Sequence, residues 1–366
     1  MIASRQYILI ATLAIIAGAI YFINANSVSK TESNQSVAVI PRISSEQNKM
    51  KKEEKSNRYQ LAKEITTPDG FINTDGKAVT INDLIGKKII MVDFWTYSCI
   101  NCQRTTPYLN AWYEKYKDKG FVIIGIHTPE FEFEKDYRNV QTAVEKFGIK
   151  YPVALDNDYS TWTAYKNRYW PRKYLIDIDG YIVYDHIGEG AYDETERKIQ
   201  ELLKEREEAL GMNGEINSDI SQPKGIADVD SSMSRSPEIY FGASRNTHLG
   251  NGRANSVGTQ NLSEPADIKI NTLYLAGDWD IQNELAENKS GQAKIIFRYQ
   301  AKNVYLVAGS ANNAKIKIIK DGQFIGEQTV NEHKLYQIIK DSEHGEHALE
   351  IIIENPGSQF FTFTFG

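Results

Sequence analysis

The chain has few cysteines, no excess of basic residues and only one long apolar run. Cys99 and Cys102 are the only cysteines among 366 residues, which excludes a small disulfide-rich scaffold. Lysine and arginine total 42 against 48 acidic residues, so the charge balance does not favour nucleic acid as a partner. A single apolar run leaves room for at most one membrane span. What remains is a globular chain, 41% hydrophobic and long enough for two domains.

The apolar run occupies residues 7–23 and follows Arg5. As a helix it would be about 26 Å long, slightly less than the roughly 30 Å hydrocarbon core of a bilayer. We expect a single hydrophobic helix over residues 1–23 that anchors the chain; the alternative is a signal peptide cleaved after Ala25. Both interpretations export the rest of the chain. The predicted location is the cell membrane with the domains on its extracytoplasmic, periplasmic side, or secretion after cleavage.

Two polar tracts divide the exported part. Residues 24–60 and 213–236 lack apolar periodicity and cannot bury enough surface to offset their chain entropy, so both are predicted to be linkers, the first of them disordered. They delimit one domain at residues 61–212 and a second at residues 237–366.

The first of these domains alternates strand and helix patterns. The run KKIIMVDF is typical of a strand buried on both faces, and the two cysteines follow it where a helix begins. FVIIGIHTP predicts a second buried strand. The whole order is β-α-β-α-β-α-β-β-α, which indicates an α/β domain with a central sheet and covering helices.

The second domain shows short strand patterns separated by turn signals and ends in the alternating sequence FTFTF. This spacing without helical periodicity predicts an all-β sandwich of jelly-roll type. His333, His344 and His347 have no cysteine or clear acidic partner at ligand spacing, so no metal site is expected there.

The spacing of Cys99 and Cys102 favours redox catalysis. A disulfide between them closes almost no loop and would be a poor structural staple. A structural zinc site needs four ligands, and the chain offers no further cysteine and only six scattered histidines. A staple and a metal site stay open as weaker alternatives. The redox interpretation requires no cofactor beyond the Cys99–Cys102 disulfide itself.

Placement at a helix N-terminus gives the two cysteines different roles. The helix dipole and unpaired N–H groups favour a thiolate at Cys99, which is predicted to be the attacking sulfur. Cys102, one turn inside, resolves the mixed disulfide. Asp93 stands in an otherwise apolar strand and is the candidate that accepts the proton of Cys102. The alternative for Asp93 is a strand-end residue bonded to nearby backbone.

This segment resembles the active site of the thioredoxins. The residues that match in spacing are Asp93, Phe94, Trp95, Cys99, Cys102, Pro107 and the pair Trp170-Pro171, where thioredoxins have a cis-proline. The longer stretches VDFWTYSCINCQRTTPYLNAWYEKY, GIHTPEFEFEKD and RYWPRKYLID are similar to the exported part of the DipZ proteins, relatives of the TlpA-type thiol-disulfide oxidoreductases of cytochrome c biogenesis.

The resemblance implies a thioredoxin fold for residues 61–212 and a carbohydrate-binding-module-like domain at residues 237–366. It implies that the protein reduces protein disulfides, either in cytochrome c maturation or in redox homeostasis of the cell envelope. Oxidation and isomerisation of disulfides are the alternative reactions. Electrons would come from a CcdA-type membrane protein on a separate chain. The β-domain would bind a glycan or a protein, with Tyr274, Trp279 or Tyr299 on its ligand face unless these aromatics are core.

Several positions depart from the thioredoxin and TlpA patterns. Ile100-Asn101 replaces Gly-Pro between the cysteines, so the redox potential cannot be copied from thioredoxin. Thr105 stands where many TlpA-like proteins have a glutamate. An acid role must therefore fall to Asp93, Glu130 or Glu132.

Five aromatic, histidine and proline residues are predicted to lie near the cysteines. His127 is a candidate tuner of thiol acidity, or a hydrogen-bonded structural histidine. An apolar platform for a polypeptide substrate is predicted from Trp95, Tyr97 and Trp170; the alternative is that these residues pack around the active-site helix. Pro171 is predicted to position the substrate chain.

Two other functions remain open. Redoxin-type thiol peroxidases share the fold and generally carry Thr-x-x-Cys under an arginine; the presence of Tyr97 and Ser98 before Cys99 is taken as a departure from that site. The non-enzymatic alternative is an envelope binding protein in which the β-domain carries the function.

Overall fold

The computed structural model describes residues 53–227, 233 and 235–366. The predicted anchor or signal peptide at residues 1–23 and most of the first linker lie outside these residues. Within the described ranges, no helix combines the length and the apolar character needed to cross a bilayer. Residues 55–366 form one compact unit that contains both predicted domains.

The first domain alternates strands and helices. Its strands are β1 (Gln60–Leu61), β2 (Gly70–Ile72), β3 (Ile89–Trp95), β4 (Phe121–His127), β5 (Val153–Leu155), β6 (Arg172–Ile176) and β7 (Tyr181–Ile187). Its helices are α1 (Ile100–Tyr116), α2 (Tyr137–Lys146), α3 (Ser160–Ala164) and α4 (Tyr192–Leu210), with 3₁₀ turns at Lys117–Lys119 and Glu132–Lys135. From β3 onward, the order of strands and α-helices is the predicted one.

The seven strands form one sheet in the order β1-β7-β6-β3-β4-β5-β2. Every residue of β3 is buried, as its continuous apolar sequence predicts, and the strand runs parallel to β4 and antiparallel to β6. Separate hydrophobic clusters pack on the two faces of this sheet. The predicted thioredoxin-like α/β domain is confirmed. Because β3 is central and leads into α1, the start of α1 lies at the carboxyl edge of the sheet.

Parts of both polar tracts lie against the α/β domain. Lys55 places its ammonium nitrogen 2.6 Å from a carboxylate oxygen of Asp177 and 3.0 Å from Asp179, and β1 pairs with β7. Beyond α4, the backbone N–H and the hydroxyl of Ser221 donate to the carboxylate of Glu196 at 2.7 and 2.8 Å. These polar contacts hold the end of the first tract and the beginning of the second on the α/β domain.

The second domain consists of β-strands. They are β8 (Ile239–Tyr240), β9 (Gly258–Leu262), β10 (Leu273–Ile281), β11 (Ala286–Asn288), β12 (Ala293–Ser310), β13 (Ala314–Lys320), β14 (Gln323–Val330), β15 (Lys334–Ile353) and β16 (Ser358–Phe365). The prediction of an all-β domain is confirmed.

The strands join into one hydrogen-bonded sheet instead of two stacked sheets. Eight strands follow the order β14-β13-β15-β12-β10-β11-β16-β8, the ninth, β9, pairs with β10, and β12 also pairs with β16. The ring β12-β10-β11-β16 is thereby closed into a small barrel, which departs from the predicted jelly-roll sandwich. Closure is possible because the 18-residue β12 pairs with β10 through its first part and with β16 through its second.

The aromatic residues that the sequence offered for a ligand face are buried, and two of them, Trp279 and Tyr299, belong to the hydrophobic core of the β-domain. Tyr274 is 5% exposed, and Trp279 and Tyr299 are fully buried, so all three pack in the domain instead of lining an open surface. The phenylalanines of FTFTF are buried as predicted. One of them, Phe361, has no pairing partner on β12, because the register shifts there: Val307 pairs with Thr362, and the next residue, Ala308, pairs with Phe360. Such a bulge re-aims a side chain.

The two domains meet at the acidic segment, defined as residues 130–134 with the sequence EFEFE. Phe131 and Phe133 of this segment lie against Phe361, with ring centroids 5.0 and 4.8 Å apart. The first glutamate of the segment forms a 2.7 Å ion pair with Arg245 of the β-domain. The bulge at Phe361 therefore supplies part of the aromatic contact between the domains, and His333 of the β-domain adds to it by stacking on Phe133 with ring centroids 5.1 Å apart.

Candidate active site

The two cysteines lie at the start of α1 and differ in accessibility. Cys99 is the N-cap residue and is half-buried, whereas Cys102 is 2% exposed. Both are free thiols. Burial raises the pKa of Cys102, and the neighbouring Cys99 raises it further. This placement suits the predicted roles, since the accessible sulfur can meet a substrate and the buried one needs help to lose its proton.

A cis peptide bond joins Trp170 to Pro171, as the thioredoxin resemblance implies. The carbonyl oxygen of Trp170 lies 4.0 Å from Sγ of Cys99. The indole N–H of Trp170 donates to the carbonyl of Thr128 at 3.0 Å, and its ring packs on Trp162 with centroids 4.3 Å apart. These contacts hold the backbone of the Trp170-Pro171 pair beside the accessible sulfur.

Asp93 is 1% exposed, and its Oδ1 atom accepts no hydrogen bond from the described residues. Burial raises the pKa of this carboxyl to about 7, while the positive charge of Lys173 acts in the opposite direction. A carboxyl with this pKa can take a proton and return it near neutral pH. The negative charge of Asp93 also contributes, as a smaller cause, to the raised pKa of Cys102.

Lys173 was not predicted from the sequence. It is the cross-strand partner of Asp93 on β6, its side chain is fully buried, and its ammonium group donates to the carbonyl of Gly188 at 3.0 Å. Burial lowers the pKa of Lys173, and Asp93 opposes that shift. The sequence did contain an indication of this pair. A lysine stands inside the strand sequence RKYLI, just as an aspartate stands inside the strand sequence IIMVDFW.

Replacing Lys173 with methionine is expected to raise the pKa of Asp93 above about 7, because the buried carboxylate loses its nearby positive charge. Titration of the Asp93 carboxyl carbon by NMR measures the change. Lys173→Arg, which keeps the charge, and Lys150→Met, which removes an exposed lysine, are the controls. An unchanged or lower Asp93 pKa in Lys173→Met would show that the pair is not coupled.

The aromatic residues around His127 are buried. Trp95 and Tyr97 are 2% and 6% exposed, His127 is fully buried, and its ring stacks on that of Tyr97 with centroids 5.7 Å apart. Burial lowers the pKa of His127 to about 3, so this histidine is neutral. Trp95 and Tyr97 do not line the cleft beside Cys99, which Trp170 does. The tuning role of His127 stays a prediction.

The two glutamates predicted as alternative acids lie in different surroundings. Glu130 pairs with Arg245 and accepts a 2.9 Å hydrogen bond from the hydroxyl of Tyr240, both in the β-domain. Glu132 is exposed and pairs with Lys135 at 2.6 Å. Glu130 lines the cleft with Cys99, and Glu132 does not.

A cleft of about 530 Å³ opens beside Cys99, with walls from both domains. The α/β domain contributes Arg168, Tyr169 and Trp170. The β-domain contributes Tyr240, Arg245 and Phe365, and the segment just before it contributes Arg235. This second wall could not be predicted from the sequence, because it depends on how the β-domain packs against the acidic segment.

The comparison with thiol peroxidases needs a correction at Thr96. This threonine stands three residues before Cys99 in the sequence, so the Thr-x-x-Cys spacing is present and the departure inferred from Tyr97 and Ser98 was wrong. The hydroxyl of Thr96, however, faces His127 Nε2 at 3.4 Å. The nearby Arg104 is buried and pairs with Glu189 at 3.3 Å. The threonine and the arginine therefore have partners other than Cys99.

Comparisons with known proteins agree with this site. A family model described as redoxin matches residues 58–203, and one described as a thioredoxin-like C-terminal domain matches residues 236–366. Protein DipZ of Mycobacterium bovis is 35% identical over 309 residues, which cover 82% of this chain and 43% of DipZ. This chain thus spans less than half of the DipZ proteins that it matches.

Thiol-disulfide oxidoreductase ResA of Bacillus cereus is 33% identical over 147 residues, which cover 40% of this chain and 80% of ResA. Among solved structures, a thioredoxin-like protein in the oxidised form matches with 26% identity and a TM-score of 0.37, covering 40% of this chain and 97% of that one. With its Cys-x-x-Cys pair and with 80% of ResA covered, the chain belongs to the redoxin family of thiol-disulfide oxidoreductases.

Proposed function

We propose that the protein is an exported thiol-disulfide oxidoreductase that reduces disulfides in polypeptides. The observation that carries this proposal is the asymmetry of the site. An accessible Cys99 lies 4.0 Å from the carbonyl of Trp170, and a buried Cys102 interacts with an aspartate whose pKa is about 7. This arrangement presents one sulfur to a substrate and keeps the other, with a proton acceptor, behind it.

In the first step, the Cys99 thiolate attacks one sulfur of a substrate disulfide. A bond forms between Cys99 and that sulfur, the substrate S–S bond breaks, and the other substrate sulfur leaves as a thiolate. The positive end of the α1 dipole favours the Cys99 thiolate before the attack. The backbone of Trp170 and Pro171, beside Cys99, is placed to align the substrate chain.

In the second step, Cys102 transfers its proton to Asp93 and attacks Cys99. The Cys99–Cys102 disulfide forms, and the remaining substrate sulfur leaves as a thiolate, which takes up a proton. Two electrons have then passed from the enzyme dithiol to the substrate. Lys173 stabilises the negative charge of Asp93 before it receives the proton.

The cycle requires a two-electron dithiol donor that returns the disulfide to the reduced form. We place this donor in a membrane protein of the CcdA type on a separate chain, and the substrates in the cell envelope, where apocytochromes c are one candidate class. The apolar run at residues 7–23 supports export and anchoring. N-terminal sequencing of the mature protein tests this placement: retention of residues 1–23 supports the anchor, and a start at Asn26 supports the cleaved signal peptide.

The reduced protein is expected to reduce the disulfides of insulin and to consume hydrogen peroxide slowly. Both activities are measured with dithiothreitol as donor, and the redox potential of the cysteine pair is measured in glutathione buffers. A potential near −270 mV, at the reducing end of related pairs, supports a reductase, whereas one near −120 mV would indicate an oxidant. Fast peroxide turnover without insulin reduction would establish the peroxidase alternative instead.

The β-domain is proposed to contribute to substrate recognition, because it forms one wall of the cleft beside Cys99. A glycan or protein ligand would therefore meet Arg235, Tyr240 and Arg245 rather than the buried Trp279 and Tyr299.

A further inference from the structure

The acidic segment connects the residue that precedes Cys99 with the β-domain. Its last glutamate, Glu134, is fully buried. One carboxylate oxygen of Glu134 accepts hydrogen bonds from the backbone N–H of Ser98 at 3.2 Å and from its hydroxyl at 2.6 Å. The residue immediately before the attacking sulfur is thus held by a buried carboxylate.

The second carboxylate oxygen of Glu134 binds the opposite end of the acidic segment. It accepts hydrogen bonds from the backbone N–H groups of Glu130 at 2.6 Å and Phe131 at 3.1 Å. A single side chain therefore ties the loop before α1 to two residues that contact the β-domain. Burial raises the pKa of Glu134, and the bonds from Ser98 and Thr96 act against that shift.

The β-domain holds this segment from the other side. Glu130 pairs with Arg245, Phe131 and Phe133 lie against Phe361, and the backbone N–H of Glu132 donates to Glu284 at 2.9 Å. A shift of the β-domain would move the backbone that binds Glu134.

The position of Glu134 also has an electrostatic consequence. A carboxylate bonded to Ser98 lies at the N-terminal end of α1, where the helix dipole favours negative charge on Cys99. Two negative charges close together disfavour one another in a buried site. An ionised Glu134 therefore acts against the Cys99 thiolate and, with it, against the reduced form of the pair.

We propose that Glu134 is a positioning residue through which docking of the β-domain sets the redox potential of the Cys99–Cys102 pair. The proposal rests on the proposed redox function, but its test requires only that the pair forms a disulfide. The potential is measured on the full chain in glutathione buffers without a substrate, so a wrong substrate or a wrong direction of electron flow would leave this test intact.

Glu134→Gln keeps the shape of the side chain and removes its charge. Because the thiolate is then favoured, the equilibrium is expected to shift toward the dithiol by roughly 5- to 30-fold, which is about 20 to 45 mV toward a more oxidising potential. Glu132→Gln, which removes an exposed charge from the same turn, is expected to leave the potential unchanged.

Glu134→Asp separates the effect of charge from that of geometry. If charge dominates, its potential stays closer to that of the wild type than the potential of Glu134→Gln does. If Glu134 acts only as a structural support, the shortened side chain disturbs the site more than glutamine does. That second pattern, or a Glu134→Gln potential within about 10 mV of the wild type, overturns the electrostatic part of the proposal.

Coupling to the β-domain is tested by combining variants. Arg245→Gln breaks the ion pair with Glu130, and Phe361→Ala removes the contacts of Phe361 with Phe131 and Phe133. Circular dichroism reports whether each variant is folded. Both are expected to shift the potential in the wild-type background and to have little effect in the Glu134→Gln background. Equal shifts in both backgrounds, or no shift from folded Arg245→Gln in either, would show that docking does not act through Glu134.

Discussion

Cys99→Ser is expected to lower insulin-disulfide reduction by at least about 10³-fold, because the attacking sulfur is removed and no other described thiol can take its place. The buried Cys102 is not a substitute, since it is 2% exposed and a polypeptide disulfide cannot reach it. Turbidity from precipitating insulin, with dithiothreitol as donor, measures the rate. Circular dichroism of the variant verifies the fold.

Cys102→Ser is expected to have a different phenotype. Cys99 can still attack a substrate disulfide, but no second sulfur resolves the mixed disulfide, so a covalent complex between Cys99 and the substrate accumulates. Non-reducing electrophoresis followed by mass spectrometry detects the complex, and the Cys99→Ser/Cys102→Ser double variant is the control that forms none. The complex also identifies natural substrates when the variant is expressed in the source cell.

The two variants together test the assignment of roles. A complex formed through Cys102 in the Cys99→Ser variant would reverse the roles of the two sulfurs. Full biological activity of Cys99→Ser would contradict an enzymatic function altogether and favour the alternative in which the β-domain carries the function as a binding protein.

The sequence was sufficient for the parts of the site that depend on local patterns. The apolar run of β3 predicted a doubly buried strand, and its continuation predicted α1 with Cys99 at the N-terminus, because strand and helix periodicities are set within a few turns of the chain. Trp170-Pro171 was found through the resemblance to thioredoxins, since a cis bond has no separate signal in one sequence.

The sequence was insufficient for contacts between distant segments. Asp93 and Lys173 are 80 residues apart, and only the register of β3 against β6 brings them together. Glu134 was overlooked in favour of Glu130 and Glu132, because three glutamates at alternate positions look equivalent until the 3₁₀ turn buries only the last of them. The closed barrel depends likewise on the pairing of β12 with β16.

Asp93→Asn is expected to stabilise the protein at neutral and alkaline pH while it slows catalysis. In the folded protein, burial raises the pKa of Asp93 to about 7, against about 3.9 in an unfolded chain. The folded state therefore binds this proton more tightly than the unfolded state does. The contribution of Asp93 to the stability of the wild type is therefore most favourable below about pH 4. This contribution is lost between about pH 4 and pH 7.

The shift in the pKa of Asp93 sets an upper limit of about 4 kcal/mol on this loss, which remains constant above pH 7. Asp93→Asn removes the titration, so its gain over the wild type should grow from near zero at pH 4 to a plateau above pH 7. The gain stays below the limit because Lys173 loses its counter-charge. Urea unfolding across this pH range measures the gain, and Asp83→Asn, an exposed site, should show none.

The same substitution should slow the second catalytic step by roughly 10²-fold, since Cys102 loses its proton acceptor. In the wild type, the rate of resolution should rise with pH through about 7 as Asp93 ionises, and Asp93→Asn should lack this inflection. Quenched-flow trapping of the mixed disulfide measures the step. If Asp93→Asn is more stable than the wild type but resolves the mixed disulfide at the wild-type rate, Asp93 destabilises the fold and has no role in proton transfer. If the variant resolves the mixed disulfide more slowly but its rate still rises through about pH 7, a group other than Asp93 titrates in that range.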